Sequence, residues 1–448
     1  MTALVRLRTL PAHPAGAPVP GLYDGLEALS RAHSLEVIGS EDFVTSAEEF
    51  AAVTSDEDRR VLRVVALADE GGRRIEDLWS MVPGDAAASA GRPAREDDRG
   101  WTPDLIAPEV RALAPAAPGV PSGSGAPSSP GSPSASLVPG APGEEGAEAV
   151  VGHLVVHAPL RDNTHRAEVS VQVSPSWRHS GLDGLLLRLG EAIARSWGRT
   201  IAWYWTDCPG WAGVGTPQAV PGLRIPVPGE DGVAAPVRTH ETDLLFSAGY
   251  RPLHSEWVTT LDVGEALAVD PTPVPGYELV SWSSPRSPEH LLDQLARIYA
   301  LASTDMPSGD LSEEPQVWDP QRVLRKEALA ERSREEWVLT AVRPTGGELV
   351  GWTTLVLSPT VPEIAFQEGT LVREDHRGHG LASWMKRVNL AELRARHPRV
   401  HRIHTWTDGA NAPVIALNRR LGFRPSLVEV GWEKQLGAHG GGAEGPHE

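Results

Sequence analysis

Apolar positions along this chain follow two periods, and the periods alternate. Short stretches rich in Val, Ile, Leu and aromatic residues read as strands at Arg63–Ala68, Val150–His157, Ala167–Val173 and Trp257–Asp262 in the first half. In the second half the same signal marks Tyr277–Trp282, Trp337–Val342, Leu349–Leu357, Ile364–Val372, Arg402–Thr407 and Val428–Lys434. Between them, helical spacing predicts helices over Pro288–Ala302, from about Gln321 to Arg332, from after His379 to about Arg396, and over Ala412–Leu421. Gly422 follows the last of these as a left-handed cap. Strands alternating with helices predict a mixed α/β sheet.

The pattern occurs twice. Leu182, Leu185, Leu186 and Leu189 follow Arg178 at helical spacing. Leu381, Trp384, Met385 and Val388 follow Arg377 in the same way. Every pair is separated by 199 positions, and so are the strand-like stretches ahead of the two arginines. Downstream, Ser247–Pro252 and Arg420–Pro425 end the halves with similar Gly-aromatic-Arg-Pro sequences. The longer interval in the first half is absorbed by a Pro- and Gly-rich stretch from Asp207 to His240.

The repeat gives a domain reading: residues 1–265, a linker at 266–275 marked by Pro271, Pro273 and Pro275, and residues 276–436. The stretch from about 114 to 149, dominated by Pro, Gly, Ser and Ala, is expected to be a disordered insertion, and the Gly-rich residues 437–448 a disordered tail. Of the 448 residues 40% are hydrophobic and 22% charged, enough for two cores. A formal charge of −18 repels phosphate backbones, which argues against nucleic-acid binding. The single cysteine, Cys208, excludes an intramolecular disulfide and a Cys-based zinc site, and fits a cytoplasmic setting. No apolar run is long enough to span a membrane. His397, His401 and His404 straddle a helix end and a strand start among arginines, so no metal site is expected.

The chemistry concentrates where a strand turns into a helix: Val372, then Arg377, Gly378, His379, Gly380, Leu381 and Ala382. Two glycines allow backbone conformations that aim successive N–H groups into one concavity, and the first turn of the next helix adds free donors. Such a cradle accepts a phosphate or pyrophosphate, with Arg377 able to add a charge-assisted contact. His376 stands beside the loop as support.

Arg377, Gly378 and Gly380, followed later by Asn411, a short helix and Leu421-Gly-Phe423, resemble the signature of GNAT N-acetyltransferases, over roughly Pro275–Leu436. The resemblance implies two acyltransferase folds in tandem, each a central mixed sheet flanked by helices, in an organisation like that of mycothiol synthase. It implies acetyl-CoA as cosubstrate, held by Arg377–Ala382, by the backbone of Leu371 and Val372, and by Asn411 and Asn418. It also implies a small-molecule amine acceptor and a monomer or homodimer. Direct transfer needs a neutral amine and therefore a base. Glu368, on the same side of its strand as Val372, is the first candidate; Glu363, Asp408 and His404 are alternatives. Many relatives place a proton-donating tyrosine where this chain has Asn418, and an amide has no dissociable proton near neutral pH. The first half carries His179 where Gly378 stands and Asp183 in the first helical turn, where a carboxylate repels a pyrophosphate. It reads as a degenerate copy that helps form the substrate cleft. A non-catalytic acyl-CoA-binding or regulatory protein is the alternative function.

Overall fold

The computed structural model describes residues 4–10, 12–13, 17–68, 72–79, 82, 149–230, 232–266 and 271–437. The expected insertion and tail fall almost wholly outside these residues, as does part of the linker.

The first half supplies strands β1 (Leu4–Leu10), β2 (Arg59–Ala68), β3 (Arg73–Arg74), β4 (Val150–Pro159), β5 (Arg166–Val173), β6 (Ile201–Cys208), β7 (Trp211–Gly213), β8 (Ile225–Pro226), β9 (Val233–Pro236) and β10 (Arg251–Asp262). Its helices are α1 (Leu22–Val37), α2 (Ala47–Val53), α3 (Ile75–Trp79), α4 (Leu182–Ser196) and α5 (His240–Ser247). The second half supplies β11 (Tyr277–Trp282), β12 (Glu336–Pro344), β13 (Gly351–Leu357), β14 (Ile364–Val372), β15 (Arg402–Asp408) and β16 (Arg424–Gln435), with α6 (Leu292–Asp305), α7 (Pro320–Arg332), α8 (Leu381–Arg396) and α9 (Ala412–Leu421).

The repeat is real in three dimensions: β5 aligns with β14 and α4 with α8 at the 199-residue offset, and β10 and β16 each run for 12 residues. The two halves nevertheless do not form separate sheets. One 13-stranded sheet runs β11-β12-β13-β14-β15-β10-β16-β6-β5-β4-β2-β1-β3. The last strand of each half has crossed over. β10 lies beside β15, β16 lies beside β6, and the two pair antiparallel at the centre.

Packing follows the exchange. Val428, Val430 and Trp432 of β16 belong to the core of the first half, while Leu261 and Val263 at the end of β10 join Val338, Leu355 and Ile403 of the second. A fully buried Val or Leu contributes about 1.5–3 kcal/mol, so withdrawing either strand would uncover several such side chains in the opposite half. Ion pairs reinforce the seam: Arg322 with Asp162 at 2.5 Å, Arg325 with Asp58 at 2.9 Å.

Candidate active site

β14 and β15 run parallel, but their pairing is confined to Ile364–Phe366 against Arg402–His404. Thr405 Oγ1 donates to Gln367 O at 3.0 Å, and beyond that point the strands part. Strand alternation then turns the peptide groups of Leu371 toward β13 and those of Thr370 and Val372 toward the gap. Val372 O accepts from Arg377 Nε at 3.0 Å. Of the sequence-predicted pair, Val372 therefore faces the gap, whereas Leu371 packs its side chain into the α6 core. Thr370, missed in the sequence, is the second gap-facing residue; the strand's period would have found it once the register was known.

At the end of β14 a single 3₁₀ turn, Glu374–His376, leads into the loop. Gly378 and Gly380 both adopt left-handed backbone, with φ +82° and +79°, and a Cβ at either would meet open space. Gly380 is also the N-cap of α8, with no side chain closing the helix end. Arg377 through Gly380 are exposed. His376 Nδ1 is hydrogen-bonded to Tyr277 OH at 2.8 Å, and His379 Nδ1 contacts His376 O at 3.2 Å, so the histidines brace the loop. The arrangement fits a diphosphate: an open concavity, unclaimed helix-end donors from Leu381 and Ala382, and no acidic side chain in the first turn.

Arg377 also pairs with Asp305 at the end of α6. Arg178 pairs likewise with Glu36 near the end of α1. The contact recurs in both halves, so its part is to anchor the loop.

The first half keeps the backbone of this loop and closes it with its own side chains. His179 (φ +64°) and Gly181 (φ +84°) repeat the conformations of Gly378 and Gly380. Here Gly184 N donates to Asp183 Oδ1 at 2.8 Å, and Leu182 N to Ser180 Oγ at 3.3 Å, so the helix end is capped internally. His240 Nε2 lies 2.5 Å from Asp183 Oδ2. Trp79 covers the loop, its Nε1 donating to Gly181 O at 3.3 Å. The equivalent strand gap is filled as well. Tyr204 OH accepts from Val171 N at 3.2 Å and is 3.0 Å from Val171 O and 2.6 Å from Glu241 Oε1. What remains is a pocket of about 80 Å³.

Of the candidate bases, Glu368 lies exposed on a cleft of about 320 Å³, together with Tyr299, Trp318, Trp352, Lys326 and Glu313. Desolvation by the cleft walls raises its carboxyl above the usual value, Lys326 opposing the rise and Glu335 adding to it. The other candidates are otherwise engaged or outside the cleft. Buried His404 contacts Asp42 Oδ2 at 2.8 Å through Nε2 and Thr260 Oγ1 at 2.9 Å through Nδ1, leaving no ring nitrogen for a substrate. Asp408 Oδ1 accepts from Ala410 N at 2.5 Å and its other oxygen lies 3.3 Å from His254. Glu363 is exposed before β14, outside the cleft lining.

Asn411 is the N-cap of α9, its Oδ1 accepting from Val414 N at 3.4 Å. Asn418 is buried with both ends of its amide engaged: Oδ1 accepts from Lys386 Nζ at 2.8 Å, and Nδ2 donates to Thr407 Oγ1 at 3.2 Å. Lys386 was not singled out from sequence, although its 199-offset partner, Leu187, is the signal that would have found it.

Residues 295–423 match the model of the acetyltransferase (GNAT) family. The chain carries a GNAT acetyltransferase domain. The match spans the glycine loop, the parted strands and Asn418. Among solved structures, a tandem GNAT protein from the clavulanic acid biosynthesis pathway is 16% identical and covers 97% of this chain and 99% of its own, with a TM-score of 0.61. That likeness extends the GNAT fold to the first half. A GCN5-related N-acetyltransferase from Sphaerobacter thermophilus is 17% identical over 65% of this chain and 83% of that one, with a TM-score of 0.39. A glucosamine N-acetyltransferase region of a fungal multi-domain enzyme is 11% identical, covering 96% and 38%, with a TM-score of 0.48. No curated protein matches the chain. Among the described residues no group of His, Cys, Asp and Glu is arranged to hold a metal ion, and no helix is long and apolar enough to cross a membrane.

The first half also shapes the GNAT domain's cleft. The segment after α6 crosses onto it: Leu311 packs with Ile201 and Trp203, and Glu314 N donates to Asn163 Oδ1 at 2.7 Å. Glu313 lies 3.6 Å from Arg166. One wall of the cleft is thus held by the half whose own loop is closed.

Proposed function

We propose that the second half transfers an acyl group, in the first instance acetyl from acetyl-CoA, to the neutral amine of a small molecule, and that the first half takes no cofactor. The observation that carries this is the contrast between the loops. Gly378 and Gly380 hold an open cradle with free helix-end donors, whereas Asp183, Ser180 and Trp79 close the matching one. An acyl-CoA supplies an activated thioester carbonyl. The chain's residues do the rest: Arg377–Ala382 hold the diphosphate, Thr370 and Val372 offer peptide groups to the pantetheine arm as an added strand would, and an N–H there polarises the carbonyl. Glu368 takes the proton from the acceptor amine, its raised carboxyl being a better base than an ordinary one. The aromatic and acidic lining suits an amine with an apolar body, held near Tyr299, Trp318 and Trp352.

Calorimetric titration with acetyl-CoA is expected to give one site per chain; two equivalent sites would defeat the assignment of a closed first half. A panel of small amines with detection of released CoA is expected to show turnover. The engaged amide of Asn418, with no tyrosine there, favours a second reading: an acyl-CoA-binding protein without catalysis, which binding without CoA release across the panel would support.

A further inference from the structure

The inner face of α8 carries a lysine where apolar residues are the rule. Lys386 is 5% exposed and lies among Met385, Leu390 and Leu393 on a helix packed against β12, β13 and β14. Its Nζ has one hydrogen-bond partner, the neutral Oδ1 of Asn418 at 2.8 Å; the Phe423 ring is 6.0 Å away. An ammonium has three donors, and among the described residues no carboxylate pairs with this one. An uncompensated buried charge is unfavourable, and an apolar side chain of similar volume would fit without that cost.

The first half shows the apolar alternative. At the 199-residue offset Lys386 corresponds to Leu187, and Asn418, four residues before the capping glycine of its helix, corresponds to Leu245. Both leucines are buried in the core of the half whose strand gap is filled by Tyr204. In the second half Asn418 bridges from Lys386 to Thr407, which lies three residues beyond the last β14–β15 pair, on the part of β15 that has left its neighbour. A buried cation without a carboxylate partner is therefore linked through Asn418 to the strand beside the open gap, where the closed half has leucines.

Resting on the acyl-CoA reading above, we infer that Lys386 is the cation that receives the negative charge of the departing CoA thiolate and gives it a proton, with Asn418 and Thr407 positioning its ammonium. As the acceptor nitrogen bonds to the acyl carbon, the carbon–sulfur bond breaks and its electron pair stays on sulfur. A proton passes from Lys386 Nζ to sulfur, leaving a neutral amine. The surplus proton on nitrogen leaves to Glu368, and exchange with solvent restores both groups. Burial alone lowers the lysine to about 7, so no charged group facing it from α9, β12, β13 or β14 sets its proton affinity, and it can give up a proton near neutral pH.

The test titrates the thiol of CoA bound to the full chain, by the ultraviolet absorbance of the thiolate. In the parent protein the bound thiol is expected to show about tenfold or more thiolate than free CoA at a given pH below its midpoint. In Lys386→Met that excess disappears while CoA still binds, kcat falls by about tenfold or more with KM for acyl-CoA little changed, and the alkaline limb of the kcat profile is lost. A merely structural lysine would move none of these together. Should Lys386→Met misfold, the double variant Lys386→Leu, Asn418→Leu copies the packing of the first half and is read in the same way. A variant that binds CoA with the parent's thiolate excess and pH profile overturns the inference. A parent chain that binds no CoA overturns the acyl-CoA reading itself, and this inference with it.

Discussion

The two strand-to-helix loops of this protein have nearly the same backbone and opposite chemistry. His179 and Gly181 repeat the left-handed conformations of Gly378 and Gly380. Conformation alone therefore does not leave the helix-end donors free. What differs is who uses the donors. At α8 they are left for a ligand; at α4 Ser180 and Asp183 take them, with Trp79 laid over the top. The strand gaps differ in the same way: the Tyr204 hydroxyl accepts from Val171 N and lies against Val171 O, filling the gap, while Thr370, 199 positions on, faces an open one. A chain that keeps both copies and opens one provides its own control for each functional residue.

The largest contrast to break lies on the strands before the loops. Glu368 corresponds to Val169, which is fully buried. Glu368→Gln should lower kcat/KM by about 10²-fold or more, the range for loss of a general base, with acetyl-CoA binding retained. The carboxyl is raised by desolvation and must be ionised to act, so the parent's activity should fall as pH drops through a value above the ordinary glutamate range. The variant should lose that acid limb. Unchanged rates would move the base elsewhere on the cleft.

Next in size is the plug of the closed half. Tyr204→Phe leaves Val171 N–H, Val171 C=O and the Glu241 carboxyl without the hydroxyl they share, which costs about 1–3 kcal/mol. Chemical denaturation would measure it. Acetyl-CoA stoichiometry is expected to remain one, because Ser180 and Asp183 still cap the loop.

Transplanting the closed loop's carboxylate tests the open one. Ala382→Asp places a carboxylate where Asp183 stands in the first half. It should weaken acetyl-CoA binding by at least tenfold, about 1.4 kcal/mol, at unchanged Tm. Full affinity in a folded variant would place the diphosphate away from α8.

Much of this was legible in the sequence. Strand and helix periods located Tyr277–Trp282, Ile364–Val372 and Ala412–Leu421 as they stand, and the 199-residue repeat exposed the duplication. The glycine loop could be read because glycine pairs with a specific need for left-handed backbone. The exchange of β10 and β16 could not: each strand has the same alternation whichever half it joins, and only the register of long-range pairing separates the choices. Lys386 escaped because a lysine beside an apolar helical stripe normally reaches solvent, and its burial depends on α9 closing over it. The roles of His404 and Asp42 depend in the same way on contact across the seam.

That exchange also creates a strain at the junction, and its relief gives the smallest expected effect. Direct cross-strand pairing sets Asp408 beside Glu256, Glu256 beside Glu429 and Glu429 beside Asp207, a row of four carboxylates over four adjacent strands. Like charges directly opposite are unfavourable. His254, 3.1 Å from Glu256 and 3.3 Å from Asp408, relieves one end, and His33, 3.9 Å from Asp207, lies at the other. Glu429 in the middle bears the cost: burial first, then Asp207, Glu256 and Glu168, hold its carboxyl well above the ordinary glutamate value. A carboxyl raised in the folded state binds its proton more tightly there than in the unfolded chain. Its contribution to stability is therefore complete below the unfolded value and is lost as pH rises through the folded one. Glu429→Gln keeps the shape and removes the charge. It should match the parent's stability in acid and exceed it at neutral pH and above by about 1 kcal/mol, a shift of a few degrees in Tm. Thermal melts of both proteins across that range would show the curves parting as pH rises. Curves that stay together would mean that the four carboxylates are screened at the seam, and that joining the halves through β10 and β16 carries no electrostatic cost.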